Sequence, residues 1–445
     1  MMSKLRIVGT FAIASGVALF LFLGMGNLKS FAGPNYQELA LLTNVLHLVQ
    51  QHYVDDVDEH ALIEGALKGM LDVLDPHTSY LSADFYKEVQ LDTKGEFEGL
   101  GIEITKRDGF VMVVAPIDGT PAAKAGIKAK DQIVAVCPSA EDDSCVSTQE
   151  MNLLEAVKLM RGPRGTKVMI QIRRKGWTAP KPFVIKRASI RVSSVRLSIL
   201  EPGLPYVRLS QFQERTTRDL AAVLKQAHKE TGEFKGLVLD LRNNPGGLLE
   251  QAVRVTDLFL EEGMIVFSEG RDSGNHMEWH AKGEGTEPKY PMVVLVNGGS
   301  ASASEIVAGA LQDHHRALVL GSETFGKGSV QTIIPLDDGS GLRLTTALYY
   351  LPSGRSIQEV RIQPDVLIEP YTQAELAAIE NEDQGETFGE EHLVGHLESK
   401  KAKPERNEPN DPMARQLELD RQLIRATELL KSWNIFSNLE VGSGA

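Results

Sequence analysis

The sequence predicts a multidomain protein of mixed class, part α/β and part α+β, and three observations carry that prediction. The chain has 445 residues, about three domains at roughly 150 residues each. Apolar residues recur at helical spacing near the start, in short β-rich runs after Gly95, and as alternating strands and helices beyond Tyr206. A hydrophobic content of 42% with 24% charged residues excludes a collagenous, wholly disordered or multi-span membrane chain.

The first element is a targeting segment. Lys4 and Arg6 precede an uncharged run from Ile7 to Leu28, and Ser30-Phe31-Ala32 before Gly33 fits a small-residue cleavage site. The run is also long enough to span a bilayer uncut. Residues 1–32 are therefore expected to be a secretory signal or a single N-terminal anchor. Either places the rest outside the cytoplasm, which in a bacterium would mean the periplasm or the periplasmic face of the inner membrane.

Residues 33–94 read as helical. Leu42, Val45, Leu46, Val49 and Tyr53 form one stripe, and Ile63, Ala66, Leu67, Met70 and Leu74 another. Val54-Asp-Asp-Val-Asp58 is a turn with capping acids, and Asp75-Pro-His-Thr-Ser-Tyr80 ends the second helix, with His77 read as structural. From 95 to 187 the texture is β-rich. Phe97 to Ile104 is a Gly-rich turn entering a strand, and Phe110 to Ala115 is a second strand. Thr120 to Ile127 is a short helix with Pro at its start and Gly at its end. The strand Asp131–Val136, the helix Leu153–Met160 and the strand Thr166–Arg173 follow. Cys137 and Cys145 bracket an acidic insert and are open to two readings, a local disulfide or two free thiols. Two thiols without a nearby His do not make a metal site.

From 188 to 370 strands and helices alternate, which predicts a mainly parallel sheet with helical cover. Strands are expected at Tyr206–Leu209, Leu237–Leu241, Met264–Phe267, Met292–Val296, Ala317–Gly321 and Leu342–Tyr350. Helices are expected at Leu249–Leu260 and Ser302–Gln312. Residues 371–411 form an acidic linker, since Tyr371 to Pro412 holds 11 acids against 4 bases and carries −7 of the chain's net −13. The excess of acid argues against nucleic acid as a partner. Leu419, Leu423, Ala426, Leu430 and Trp433 place an apolar stripe on a helix within 412–445, suited to docking on its own core or on a second copy.

The stretch most informative for chemistry is Val296-Asn-Gly-Gly-Ser-Ala-Ser-Ala-Ser-Glu-Ile-Val307, where a strand meets a helix through two glycines. Such a junction can set a nucleophile beside unpaired helix N–H groups. Ser300, Ser302 and Ser304 compete for that role, and Ser302 to Glu305 reads equally as a capping box. His314, 12 residues beyond Ser302 on the same helix, is about 18 Å away and too far to act as its base. Lys327, in Glu323-Thr-Phe-Gly-Lys-Gly-Ser-Val330, sits in a Gly-flanked turn that could return to the helix start or lie on the surface. It is not a phosphate-binding loop, because the flanking strand and helix are wrong.

Two resemblances sharpen this reading. Gly99-Leu100-Gly101-Ile102 with Pro121 to Asp131 (PAAKAGIKAKD) resembles a PDZ domain. That implies Gly99, Leu100, Gly101 and Ile102 as a carboxylate-binding loop beside which a peptide adds as a strand. Beyond it, Asp75 to Tyr80, Arg161-Gly-Pro-Arg-Gly-Thr166, Leu239 to Leu248, Val296 to Ile306, Glu323 to Gln331 and Thr345 to Gln358 (TTALYYLPSGRSIQ) resemble the C-terminal processing peptidases. These tail-specific serine peptidases use a Ser-Lys pair, and the likeness covers about residues 40 to 370. It implies a core of the ClpP/crotonase-like type, with Ser302 as nucleophile, Lys327 as general base and Gln331 orienting the lysine. The oxyanion donors implied are the backbone N–H groups of Ala303 and of the glycine pair, Gly247 preferred over Gly246. Arg161 is implied to couple peptide binding to the active site. The partners implied are proteins with exposed apolar C-termini; a homodimer or higher homo-oligomer and a regulatory partner are left open. No cofactor or metal is called for. Glu359-Val-Arg361 departs from the family, where a glycine-containing turn is common. The rival reading is a catalytically silent PDZ adaptor, which would have lost Ser302, Lys327 or Gln331, and all three are present.

Overall fold

The structure is a computed structural model that describes residues 36–372, 375 and 419–441, apart from 108, 139–144, 150, 273 and 275. The targeting segment, the insert between the cysteines and most of the acidic stretch lie outside the described residues. Among the described residues no helix is long and apolar enough to cross a membrane.

The chain divides into two compact units, residues 1–80 and 81–445. The first holds helices α1 (Tyr36–His52) and α2 (Glu59–Asp72). The turn between them ends as its acids predict: the Asp58 side chain accepts the His60 N–H at 2.9 Å and caps α2. After α2, Asp75 Oδ1 accepts the N–H groups of His77 and Thr78 at 2.8 and 3.0 Å, which fixes the turn at Pro76. Leu42, Val45 and Met70 are exposed on these helices.

The second unit begins with α3 (Ala83–Lys94), closed by Gly95 in the left-handed region at φ 73°. A β-rich module follows. Its sheet runs in the order β2 (Ile102–Arg107), β3 (Phe110–Pro116), β4 (Gln132–Cys137), β5 (Lys167–Arg173), β6 (Lys181–Lys186), antiparallel throughout. Alternate residues Val168, Ile170 and Ile172 point inward and meet Val111, Val113, Ile133 and Val136. Helices α4 (Pro121–Lys124) and α5 (Leu153–Met160) cover this core, and α5 starts from a full capping box between Asn152 and Glu155. The ends of the module are clasped by β1 (Glu96–Gly99) against β7 (Ala188–Arg191). Cys137 and Cys145 form a disulfide.

The remaining core is a sheet in the order β8 (Val195–Glu201), β9 (Leu204–Leu209), β10 (Leu237–Asp240), β13 (Met292–Val296), β14 (Leu318–Gly321), β17 (Val366–Leu367). Only the β8–β9 pair is antiparallel, so the expectation of a mainly parallel sheet holds. Central strands are buried on both faces, as parallel strands are. Leu237, Leu239, Val294 and Val296 face α6 (Thr216–Thr231), α7 (Leu249–Asp257) and α8 (Ala303–Asp313). Val238, Val293 and Leu295 face the other way, onto Leu423, Ala426 and Leu430 of α9 (Arg421–Val441). The terminal stripe thus docks on its own core, and each buried leucine contributes roughly 2 kcal/mol. Two members of the expected stripe differ from the sequence reading. Leu419 lies ahead of the helix, which starts at Arg421 with Asp420 as its cap, accepting the Leu423 N–H at 3.1 Å; and Trp433, at 62% exposure, lies outside the buried stripe. A second, antiparallel sheet places β16 (Gly341–Tyr350) between β15 (Ser329–Pro335) and β11 (Met264–Gly270), with β12 (Met277–His280) outside β11.

Candidate active site

Burial distinguishes the three serines. Ser300 Oγ donates to the Leu241 carbonyl at 2.8 Å, and Ser304 Oγ to the Asn244 carbonyl at 2.9 Å; both residues are 0% exposed. Their hydroxyls hold the loop after β10 against the start of α8. Ser302 is the one of the three that lines a cleft of about 940 Å³, together with Gly247, Trp279, Gln331 and Tyr349. Burial pushes the Tyr349 phenol up to about 12, so it keeps its proton across the neutral range.

Ser302 has φ 54° and ψ −112°. A non-glycine residue in that region is strained by about 1–3 kcal/mol and persists only where its surroundings hold it. The holding groups are visible. Gly246 lies directly behind: a Cβ built there would come within 2.9 Å of Ser302 Cβ and 2.7 Å of the Ala301 carbonyl. Gly247, at φ 142°, would put a Cβ 2.2 Å from the Phe212 carbonyl. Only glycine fits at either position.

The residue that sequence reasoning undervalued is Glu305. Read there only as half of a capping box, it is 0% exposed and its carboxylate accepts four hydrogen bonds. Oε2 takes the Ser302 N–H at 2.7 Å and the Lys327 N–H at 2.9 Å; Oε1 takes Thr324 Oγ1 at 2.6 Å and the Gly326 N–H at 2.7 Å. One carboxylate therefore ties the backbone of Ser302 to the backbone of Lys327, after the chain has run through α8 and β14. Gln331, four residues beyond, lines the cleft with Ser302 and donates from Nε2 to Ser329 Oγ at 2.8 Å. His314, by contrast, caps the far end of α8, with Nε2 2.6 Å from the Met264 carbonyl.

The Lys327 turn is packed from the other side by the segment that departs from the family. Glu359 and Arg361 both have φ 64°. The Glu359 N–H donates to the Gly326 carbonyl at 3.1 Å, and Gln358 Oε1 accepts the Gly328 N–H at 3.0 Å. This turn keeps the left-handed backbone that glycine favours while using residues that pay for it in strain. Glu359→Gly is accordingly expected to stabilise the fold by about 0.5–1 kcal/mol, measured as a higher denaturant midpoint. A lower midpoint would mean that the side chain contributes more than the strain removes.

In the β-rich module, a groove of about 480 Å³ is lined by Leu100, Gly101, Ile102, Ile104, Val157 and Met160. Gly101, at φ 78°, could carry no side chain, because a Cβ would lie 2.4 Å from Thr120 Cβ. The loop is held by its carbonyls, Leu100 accepting the Ala122 N–H at 3.0 Å and Gly101 the Ile117 N–H at 2.9 Å. Strand β2 is an edge strand, with one side open to pairing. Arg161, Arg191 and Arg196 also border the groove and give it a cationic margin. Arg161 stacks 5.4 Å over the Phe97 ring and pairs with Glu88 at 2.9 Å.

Comparison with known proteins identifies the family. The family described as peptidase family S41 matches residues 203–368, the PDZ domain matches 88–173, and the activating protease CtpB N-terminal domain matches 26–85. A carboxy-terminal-processing protease of Bartonella bacilliformis is 46% identical over 89% of this chain and 89% of its own length. The carboxy-terminal processing protease CtpA of Bacillus subtilis is 35% identical over 81% of this chain and 75% of its own. A solved photosystem II D1 C-terminal processing protease is 32% identical, covers 74% of this chain and 92% of its own, and superposes with a TM-score of 0.43. On this evidence the chain belongs to the carboxy-terminal processing proteases, serine peptidases of family S41 that carry a PDZ domain.

Proposed function

We propose that this protease cleaves the C-terminal tails of exported proteins with a Ser302–Lys327 dyad. The observation that carries the reading is the Glu305 carboxylate bridging Ser302 and Lys327 while the hydroxyls of Ser300 and Ser304 are buried in structural bonds. The tail's carboxylate binds at Gly99–Ile102, drawn by the cationic margin, and the tail adds as a strand along β2. An apolar last residue suits the Leu100, Ile102 and Met160 lining. Arg161, at the rim of the groove and paired to α3, couples occupancy of the groove to the cleft.

Neutral Lys327 takes the Ser302 hydroxyl proton as Oγ attacks the scissile carbonyl bound in the cleft. The N–H groups of Gly247 and Ala303 hold the oxyanion. The C–N bond then breaks, the leaving amine receives the proton from Lys327, and water hydrolyses the acyl-enzyme. Gln331 orients the lysine. Export is supported by the basic, apolar start of the chain and by the Cys137–Cys145 disulfide, which suits an oxidising compartment such as the periplasm. The division into a targeting segment, a helical region, a PDZ domain, a protease core, an acidic linker and a terminal helix follows the same reading, and the exposed apolar residues of α1 and α2 suit self-association.

The test is cleavage of a tail peptide ending in a free apolar carboxylate. Lys327→Ala should lose about 10³-fold or more in kcat at neutral pH, while binding of the tail, measured by fluorescence anisotropy, stays within about twofold. Activity surviving at neutral pH would overturn the general-base role; loss of tail binding as well would indicate misfolding of the groove.

A further inference from the structure

One polar cluster of the core plays no part in the chemistry above. Arg242 follows β10 and heads the loop Arg242 to Gly247. Its guanidinium is 11% exposed and is gripped from two sides. Asp240, 0% exposed, accepts Arg242 Nε at 3.0 Å and Nη2 at 2.7 Å, and also takes the Tyr206 hydroxyl at 2.6 Å. From the far end of the sequence, Asp420 accepts Nη1 at 2.8 Å and Nη2 at 2.6 Å, and Gln422 Oε1 accepts Nη1 at 2.9 Å. Gln422 is itself fixed by donating to the Ile368 carbonyl at 2.6 Å.

The loop headed by Arg242 is hydrogen-bonded to the residues on either side of Ser302. The Asn243 N–H donates to Asn297 Oδ1 at 2.9 Å, with Asn243 at φ 54°. The Asn244 carbonyl accepts the Ala301 N–H at 3.0 Å and Ser304 Oγ at 2.9 Å, and Asn244 Oδ1 accepts the Gly246 N–H at 2.9 Å. Gly246 packs on Ser302, and Gly247 lines the cleft. The far end of the loop is held by Phe212, whose N–H donates to the Gly246 carbonyl at 2.9 Å, and its middle by Asn244 Nδ2, which donates to the Leu209 carbonyl at 3.0 Å; Arg242 holds the near end. Among the described residues, none of α9 lines the cleft.

We propose that Asp420 and Gln422 are positioning residues for the oxyanion loop: the start of the terminal helix clips Arg242 and so sets Gly246 and Gly247 beside Ser302. This rests on the reading of Gly247 and Ser302 given above. A charge-assisted bidentate pair fixes direction as well as distance, which is what a donor aimed at an oxyanion requires. The protease would then depend on its last helix without using any of that helix's atoms in the reaction.

The experiment compares Asp420→Asn, Gln422→Met and Lys431→Gln in the full chain. Asn can still cap α9, so Asp420→Asn removes the charge and not the helix start. Lys431 is the same helix's ion pair to Glu201, remote from the loop. Asp420→Asn should lower kcat on the tail peptide about tenfold with KM within about twofold, a fraction of the loss seen when an oxyanion donor is deleted. Labelling of Ser302 by a small fluorophosphonate, which needs no tail, should slow by a similar factor. Gln422→Met should act in the same direction, and Lys431→Gln should leave both rates unchanged. Wild-type kcat and labelling in Asp420→Asn would overturn the proposal. So would equal losses in Asp420→Asn and Lys431→Gln, which would point to general docking of the helix. Ser302→Ala separates the two readings: if it retains cleavage, the assignment of the site fails, whereas if it is inactive and Asp420→Asn is normal, only the clip fails.

Discussion

Ser302→Ala is expected to abolish tail cleavage, by about 10⁴-fold or more in kcat, while leaving the fold and the groove intact. The backbone at 302 is strained whichever side chain it carries, so alanine inherits the φ of 54° and ψ of −112°. The Glu305 carboxylate binds the backbone N–H of 302 and not its hydroxyl, so that tie survives the substitution. Removing one partly exposed oxygen at a cleft wall leaves no buried polar group without a partner, and the unfolding midpoint should shift little. The loss of rate then measures the hydroxyl alone. Paired measurements of peptide cleavage, tail affinity and denaturant midpoint check it. A variant that still cleaves near the wild-type rate would move the nucleophile elsewhere, and Ser300 and Ser304 are poor candidates because both are fully buried.

Glu305→Gln should damage both activity and stability. The carboxylate offers acceptors to four donors at once, at 2.6–2.9 Å. An amide of the same shape can place its oxygen toward one pair only, with its NH₂ toward the other. With the NH₂ at Oε2 it opposes the N–H groups of Ser302 and Lys327; flipped, it opposes the Gly326 N–H, while the Thr324 hydroxyl can turn and accept from it. Even the less costly orientation leaves one buried N–H without a partner and removes the charge from the remaining bonds, about 2–4 kcal/mol together. The return of Lys327 to the helix start is no longer fixed, and misplacement of an ångström costs about 100-fold in rate. Tail affinity should hold, because the PDZ groove has its own core. Chemical denaturation and kcat at saturating peptide are the measurements. A Glu305→Gln protein as stable and active as wild type would mean that the bridge carries neither role.

The central strands β10, β13 and β14 were legible because each is a short, mostly apolar run, as a strand buried on two faces must be; β8, which mixes Arg196, Ser198 and Glu201 with apolar residues, and the two-residue β17 were not. Helix α5 was legible to the residue, bounded by Asn152 and Arg161. Helix α6 went unremarked although Leu220, Leu224 and Ala227 stand at gaps of 4 and 3, because the rest of the segment is polar and its stripe is narrow. Strands β6 and β12 are edge strands whose exposed Val184 and Met277 break the expected alternation. At the site, glycine spacing pointed to the junction before α8, but three serines fitted it equally, and it was the resemblance that singled out Ser302. Glu305 and Arg242 were hidden for a different reason. Their partners lie up to 22 and 180 residues away, and a contact of that range leaves no periodicity to read.

The backbone at Ser302 also bears on how this protein could be redesigned. A strained residue, backed by a glycine that tolerates no side chain, is a local deficit that the surrounding core offsets. Any procedure that selects variants for thermal robustness alone will favour relaxing that corner, since glycine at 302 would relieve the torsion. Hardening the protein and preserving its reactivity are therefore opposing pressures at this position, and a stabilised version has to gain its margin elsewhere.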